Sequence, residues 1–216
     1  MEFSVMLELL IKGTAMTVEI FFVTLVLSLP LGMLVCFGRM SKNIVVRSFF
    51  KFYISVMRGT PLMLQLMVFY FGPFYLFGLQ ITDTWKQLAW ILGFSLNYAA
   101  YFAEIYRGGI ESMPQGQYEA AKILGYSKSQ TFMRIILPQV IKRVMPSITN
   151  EAITLVKDTS LAFTLSIMEL FNQAKALAAR ETNMIPYAIA ALIYYVFCLL
   201  VAFVMEQAEK KMNYYR

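Results

Sequence analysis

Glu151, Lys157 and Asp158 stand inside a long, mainly apolar run from Val144 to Glu169. At about 100° per helical residue, Glu151 and Asp158 lie about 20° apart on one face and about 10 Å apart along the axis. Ser147, Asn150, Thr154, Lys157 and Thr164 share an arc roughly 140° wide with them. Ala152, Leu155, Val156 and Phe163 take the opposite side, where Thr159 and Ser160 interrupt with hydroxyls able to bond to the preceding turn. An ionisable group at the centre of a bilayer costs some ~2.5–3.5 kcal/mol on insertion scales, so three together must face protein or water. Two readings fit: the lysine neutralises an acid and locks the helix, or the face holds a charged ligand. A second polar stripe, Asn97, Tyr101 and Glu104, repeats at helical spacing, and Gln65 follows Pro61 by one turn. Its structural reading is interhelical hydrogen bonding.

Other chemistry is excluded by what the chain lacks. With no histidine there is no Ser-His triad, His-ligated metal or imidazole shuttle. Cys36 and Cys198 are isolated in apolar runs and read as small hydrophobes. No G-x-x-x-x-G-K-[ST] loop is present, so ATP phosphates are not cradled in that way and no cofactor is expected on this chain.

The elements that must hold these residues are membrane helices. Of 216 residues, 59% are hydrophobic and 15% charged, against roughly 45–50% and about 25% in soluble domains. Mean hydropathy is +0.60. An all-α integral membrane fold is expected, with five spans near 13–37, 52–76, 87–107, 144–169 and 186–206, each close to the ~20 residues a crossing requires. The first reads as a retained helix, since Met1 to Leu10 is acidic and lacks a basic leader region.

Charge sets the expected orientation. Arg39, Lys42, Arg47, Lys51, Arg107, Lys122, Lys128, Arg134, Lys142, Arg143, Lys210, Lys211 and Arg216 fall on one side, and only Lys12, Lys86, Lys175 and Arg180 on the other. By the positive-inside rule the N-terminus is outside and the C-terminus cytoplasmic. The basic excess therefore reads as orientation and not as nucleic-acid binding. One transmembrane domain, 1–216, then contains one sizeable cytoplasmic loop, 108–143.

That loop carries the strongest motif. Glu119, Ala120 and Ala121 form a short helix that Gly125 ends in a left-handed conformation. Ser127 is placed to cap a second helix through Phe132 and Ile136, and Pro138 breaks it. Glu-Ala-Ala, three residues, Gly, nine residues and Ile-x-Leu-Pro resembles the complete cytoplasmic loop of ATP-binding-cassette importer permeases. Ala100 to Ile110, Met113 to Gln117, Arg58 to Leu62 and Lys157 to Leu161 resemble the polar-amino-acid branch of that family.

The resemblance implies a type I (MetI-like) permease fold, dimerisation with an identical or paired chain, and a separate ATPase subunit engaged by Glu119, Ala120, Ala121 and Gly125. It also implies an extracytoplasmic binding protein, an amino acid substrate and the bacterial cytoplasmic membrane. Gln65, Asn97, Tyr101, Glu151, Thr154, Lys157 and Asp158 are the candidate substrate contacts. A free amino acid needs a cation for its carboxylate and an anion for its ammonium. Lys157 or a helix end can serve the first and one acid the second. The spare acid favours a cationic side chain, so arginine, lysine or histidine is expected ahead of glutamine or another polar amino acid. A proton-coupled secondary transporter using Glu19, Glu104, Glu151 and Asp158 is the rival, but no inverted repeat is evident and the loop motif would have no purpose.

The orientation is directly testable. A cysteine at Lys175 should react with an impermeant thiol reagent applied from outside, and one at Lys128 should not; the opposite pattern overturns it.

Overall fold

The computed structural model describes residues 3–211, so Met1, Glu2 and the tail residue Arg216 used in the charge count lie outside the described part. Nine α-helices are found among the described residues: α1 (Phe3–Arg39), α2 (Ile44–Gly59), α3 (Leu62–Phe77), α4 (Asp83–Glu111), α5 (Gln115–Ile123), α6 (Lys128–Thr131), α7 (Leu137–Asp158), α8 (Leu170–Glu181) and α9 (Ile185–Lys211). A π-helical turn, Phe132–Ile136, joins α6 to α7, and a 3-10 segment, Thr159–Leu165, extends α7.

By length and composition α1 and α9 are able to cross a membrane alone, and the bent pair α2–α3 would make a third. The expected span 52–76 falls across the bent pair α2–α3. The chain breaks at Thr60–Pro61, and α2 and α3 meet at 109°. Proline has no N–H to continue the ladder, and its ring forces the preceding residue into extended backbone, as at Thr60 (φ −124°, ψ 148°).

Helix α4 is the central post. It packs against α1, α2, α3 and α7, which is why it tolerates Glu104 and Arg107 that a lipid-facing helix would not. Trp90, Phe94, Tyr98, Phe102 and Tyr106 recur at every fourth position and form one aromatic ridge, with the rings of Phe102 and Tyr106 stacked at 6.4 Å. Where α1 crosses this post, Gly32 lets the backbones touch: a Cβ there would lie 2.8 Å from Phe102 Cβ and 3.1 Å from the Ala99 carbonyl. Where α7 crosses, a Cβ on Gly109 would overlap Val144.

The ends of the bundle are distinguished by these contacts. Gly13 meets Leu170, and the Lys86 ammonium donates to the Ser166 carbonyl at 2.7 Å. At the other end Phe37 meets Phe132, and Arg143 donates to the Ser112 carbonyl at 2.8 Å. Helices α1 and α4 therefore run in the same direction, and α7 runs in the opposite one.

The loop expected over 108–143 is more helical than its sequence suggests. Helix α4 continues to Glu111, and Pro138 does not break the chain. It occupies the first turn of α7, where a missing N–H is tolerated. The π-helical turn before it makes a longer bond, from the Leu137 amide to the Phe132 carbonyl. One continuous helical rod therefore runs from Lys128 to Asp158.

Candidate functional site

Helix α7 has the two faces its sequence dictates. Ala152, Leu155 and Val156 are fully buried, while Ser147, Asn150 and Lys157 are exposed and Glu151, Thr154 and Asp158 are half-buried. Beyond α7, Thr159, Ser160 and Thr164 each return their hydroxyl to the carbonyl three residues back, at 2.7, 2.7 and 2.8 Å, so the buried Thr159 sits on the apolar face satisfied. Thr154 does the same toward Asn150, at 2.9 Å.

The acids are not neutralised by the lysine beside them. Asp158 accepts a hydrogen bond from the buried Tyr98 hydroxyl at 2.7 Å. Among the described residues no ion pair joins Lys157 to Glu151 or Asp158. Of the two readings offered by the sequence, a locked Lys157–acid pair is the one this geometry lacks. Glu151 is half-buried and accepts no hydrogen bond from a described residue.

Gln65 and Asn97 come together at the helix break. The Met57 carbonyl would have bonded to residue 61, but Pro61 has no N–H. Asn97 Nδ2 donates to it at 3.0 Å, as does Gln65 Nε2 at 3.0 Å. Gln65 Nε2 also reaches the Thr60 carbonyl and hydroxyl, at 3.1 and 2.7 Å, and its Oε1 accepts from Asn97 at 2.9 Å. Both amides are buried and both of their NH₂ groups are occupied by this break. They form a scaffold behind the site.

Tyr101 and Glu104 stay on the open side of α4. The Arg58 guanidinium lies over the Tyr101 ring, 5.2 Å from its centre, and 4.0 Å from Glu104 Oε2. Glu104 itself is held by Arg107, through Nε at 3.1 Å to both oxygens and Nη2 at 2.6 Å. Beyond it, Glu104, Ser112, Arg143 and Ser147 line an open groove of about 350 Å³ between α4 and α7.

At the far end, α5 buries only Ala121 and turns Glu119 and Ala120 outward. Gly125 adopts φ +79°, and the bonds Gly125 N–H to Lys122 and Tyr126 N–H to Ala121, at 3.1 and 3.0 Å, close the helix as a Schellman motif. Ser127 and Gln130 form a reciprocal capping box, at 3.2 and 2.9 Å. Ile123 and Leu124 are 86% and 73% exposed at the tip, an apolar surface that no described residue covers.

Three residues escaped the sequence reading as site residues. Arg58 was visible as a lone cation within an apolar span, but only the bend reveals what it faces. Tyr98 gave no signal beyond its aromatic ridge. Glu169 is fully buried, caps α8 through the Phe171 and Asn172 amides, and accepts from the Tyr194 hydroxyl at 3.0 Å.

Known proteins share this architecture and sequence. Residues 28–214 match the family described as "Binding-protein-dependent transport system inner membrane component". The putative glutamine transport system permease protein of Rickettsia typhi is 36% identical over 204 residues, covering 94% of this chain and 92% of that one. The arginine transport system permease protein of Bacillus subtilis is 37% identical over 205 residues, with 94% and 92% covered. A crystal structure of an amino acid ABC transporter with histidines matches with a TM-score of 0.86 and 30% identity, over 98% of this chain and 99% of that one.

Asn97→Leu separates scaffold from ligand contact. It keeps the volume but removes one of the two donors to the Met57 carbonyl and leaves Gln65 Oε1 unsatisfied, a loss of about 1–3 kcal/mol that should lower the melting temperature of the purified, ligand-free protein. An unchanged melting temperature would mean that the break does not depend on Asn97.

Proposed function

We propose a substrate preference and a coupling route for a chain that belongs to the binding-protein-dependent transport system inner membrane components and is the permease subunit of an amino acid ATP-binding-cassette importer. The substrate passes along the polar face of α7, against Tyr101 and Tyr98 of α4. Glu151 and Asp158 are its anionic contacts, with Thr154 between them and Lys157 at the end of the same face. Gln65 and Asn97 shape the wall from behind. A cationic amino acid is the preferred cargo. The observation that carries this is that Glu151 and Asp158 share one half-buried face and neither is in an ion pair among the described residues. The arginine permease and the histidine-bearing transporter among the similar proteins favour it too.

Glutamine is the second reading. Asp158 already accepts from Tyr98, which leaves Glu151 as the acid with free acceptor capacity, enough for the ammonium of a neutral amino acid. Relatives named as glutamine and cystine permeases favour this reading.

Coupling runs through the rod of α6, the π-helical turn and α7. A separate ATPase subunit engages the exposed face of α5, with Glu119, Ala120, Ile123 and Leu124, and ATP is hydrolysed there. Movement at α5 is passed through Gly125 and the Ser127 cap into a helix that carries Glu151 and Asp158 with it. The pathway is completed by a second copy or a paired permease, and an extracytoplasmic binding protein delivers the amino acid. In this arrangement α1, α2–α3, α4, α7 with its 3-10 extension, and α9 are the five crossings, N-terminus outside and C-terminus cytoplasmic.

Two outcomes test the reading. Glu151→Gln preserves shape and removes charge. Losing one partner of a desolvated charge pair costs about 2–5 kcal/mol, so arginine binding to the reconstituted complex should weaken about 30- to 5,000-fold while glutamine changes far less. Equal effects on both, or none, would make the acid structural and remove the cationic preference. In the loop, Gly125→Val must adopt φ +79°, at a cost of about 1–2 kcal/mol, and should reduce uptake at unchanged membrane abundance. Gly125→Asn, which tolerates that conformation, should retain most of it. Full uptake by the valine variant would refute the route through α5.

A further inference from the structure

We propose that Arg58, and not Lys157, is the cation that receives the α-carboxylate of the transported amino acid; the assignment rests on the amino-acid site proposed above. A zwitterion needs one fixed cation within reach of its anionic partner, and on the polar face of α7 that cation would be Lys157. Lys157 is exposed and makes no ion pair among the described residues. Arg58 comes from another helix altogether. It is the penultimate residue of α2, directly before the break, and the break brings it beside the middle of α4.

Its placement is fixed from both sides. The adjacent Met57 carbonyl is clamped by Asn97 and Gln65, each at 3.0 Å, so the backbone that carries Arg58 has little freedom. The guanidinium rests on the Tyr101 ring at 5.2 Å, and the next ring along α4, Tyr98 at 6.2 Å from Tyr101, holds Asp158 at 2.7 Å. An amino acid lying along this side of α4 would therefore meet a cation at one end and the acids of α7 at the other.

Neutralising Glu104 does not account for this arginine. Glu104 already receives three hydrogen bonds from Arg107, and Arg58 stands off at 4.0 Å. Among the described residues Arg58 donates no hydrogen bond, although a guanidinium has five N–H donors in a fork that matches a carboxylate. The Arg58 side chain is 44% exposed, so this fork is open to a ligand from the side away from Tyr101. A carboxylate has the geometry to do so in bidentate fashion.

The test uses the purified complex of this permease with its ATPase, without binding protein, so that the permease alone discriminates. Affinities are measured for arginine and glutamine and for their α-carboxamides, which keep the ammonium and side chain but lose the anionic carboxylate. The wild type should prefer each acid over its amide by about 30-fold or more. Arg58→Met should abolish that preference by weakening the acids and leaving the amides within a few-fold. Arg58→Lys, which keeps a charge but not the fork, should retain part of it. A wild type that binds acid and amide equally overturns the proposal without any variant, as does an Arg58→Met protein that still prefers the acid or weakens both alike. In those cases intact wild-type binding that still depends on Glu151 would leave the amino-acid site standing. A wild type that binds neither amino acid overturns the site and the arginine's role together.

Discussion

The Met57 carbonyl has no backbone donor, because the residue four positions on is Pro61. In a membrane, water is not at hand to fill such a vacancy, and an unmet backbone group costs several kcal/mol. Asn97 and Gln65 fill it. That one repair ties α2, α3 and α4 together at a single point and fixes the 109° bend between α2 and α3. It also brings Arg58 beside Tyr101 and Glu104. Much of the geometry of the candidate site follows from one missing N–H.

The same constraint acts on the charged residues of α4 and α7. Neither helix is apolar enough to face lipid all round, and each is flanked by helices that are. Exposed Leu199, Leu200, Phe203 and Val204 on α9, and Phe22, Val26 and Leu34 on α1, form an apolar exterior. Inside it, acids and arginines are paired with tyrosines and with one another. Tyr98 is central to this: it is a buried member of the aromatic ridge, yet its hydroxyl reaches Asp158. The contact links the ridge that packs the core to the face proposed to meet substrate.

Mechanical continuity comes from a second proline solved differently. At Pro61 the chain breaks, but at Pro138 it does not, because a π-helical turn makes the longer bond and the proline enters the first turn of α7. The first solution creates a corner and the second preserves a rod. A corner holds side chains in place beside α4, and a rod leads from the exposed tip at Ile123 and Leu124 to the helix that carries Glu151. Gly125, with its positive φ, sets the angle at which the tip joins that rod.

Composition and periodicity determined the class of this protein. An apolar excess forces a membrane fold, and the 3.6-residue period sorted α7 into a buried face of Ala152, Leu155 and Val156 and a polar face of Glu151, Thr154 and Asp158. The loop motif was legible for the same reason, since glycine at a left-handed position and serine at a cap are local requirements that residue types satisfy by themselves. Local rules were insufficient wherever the partner is distant in sequence. Asn97 and Gln65 read as ligand contacts until the orphaned Met57 carbonyl was seen between them. Lys157 looked like the natural partner of its neighbouring acids, but adjacent residues on a helix point about 100° apart, and Asp158 turned to Tyr98 instead. Arg58 owes its place to a bend whose angle no local pattern encodes. Only tertiary structure decided which polar groups repair the backbone and which remain free to bind.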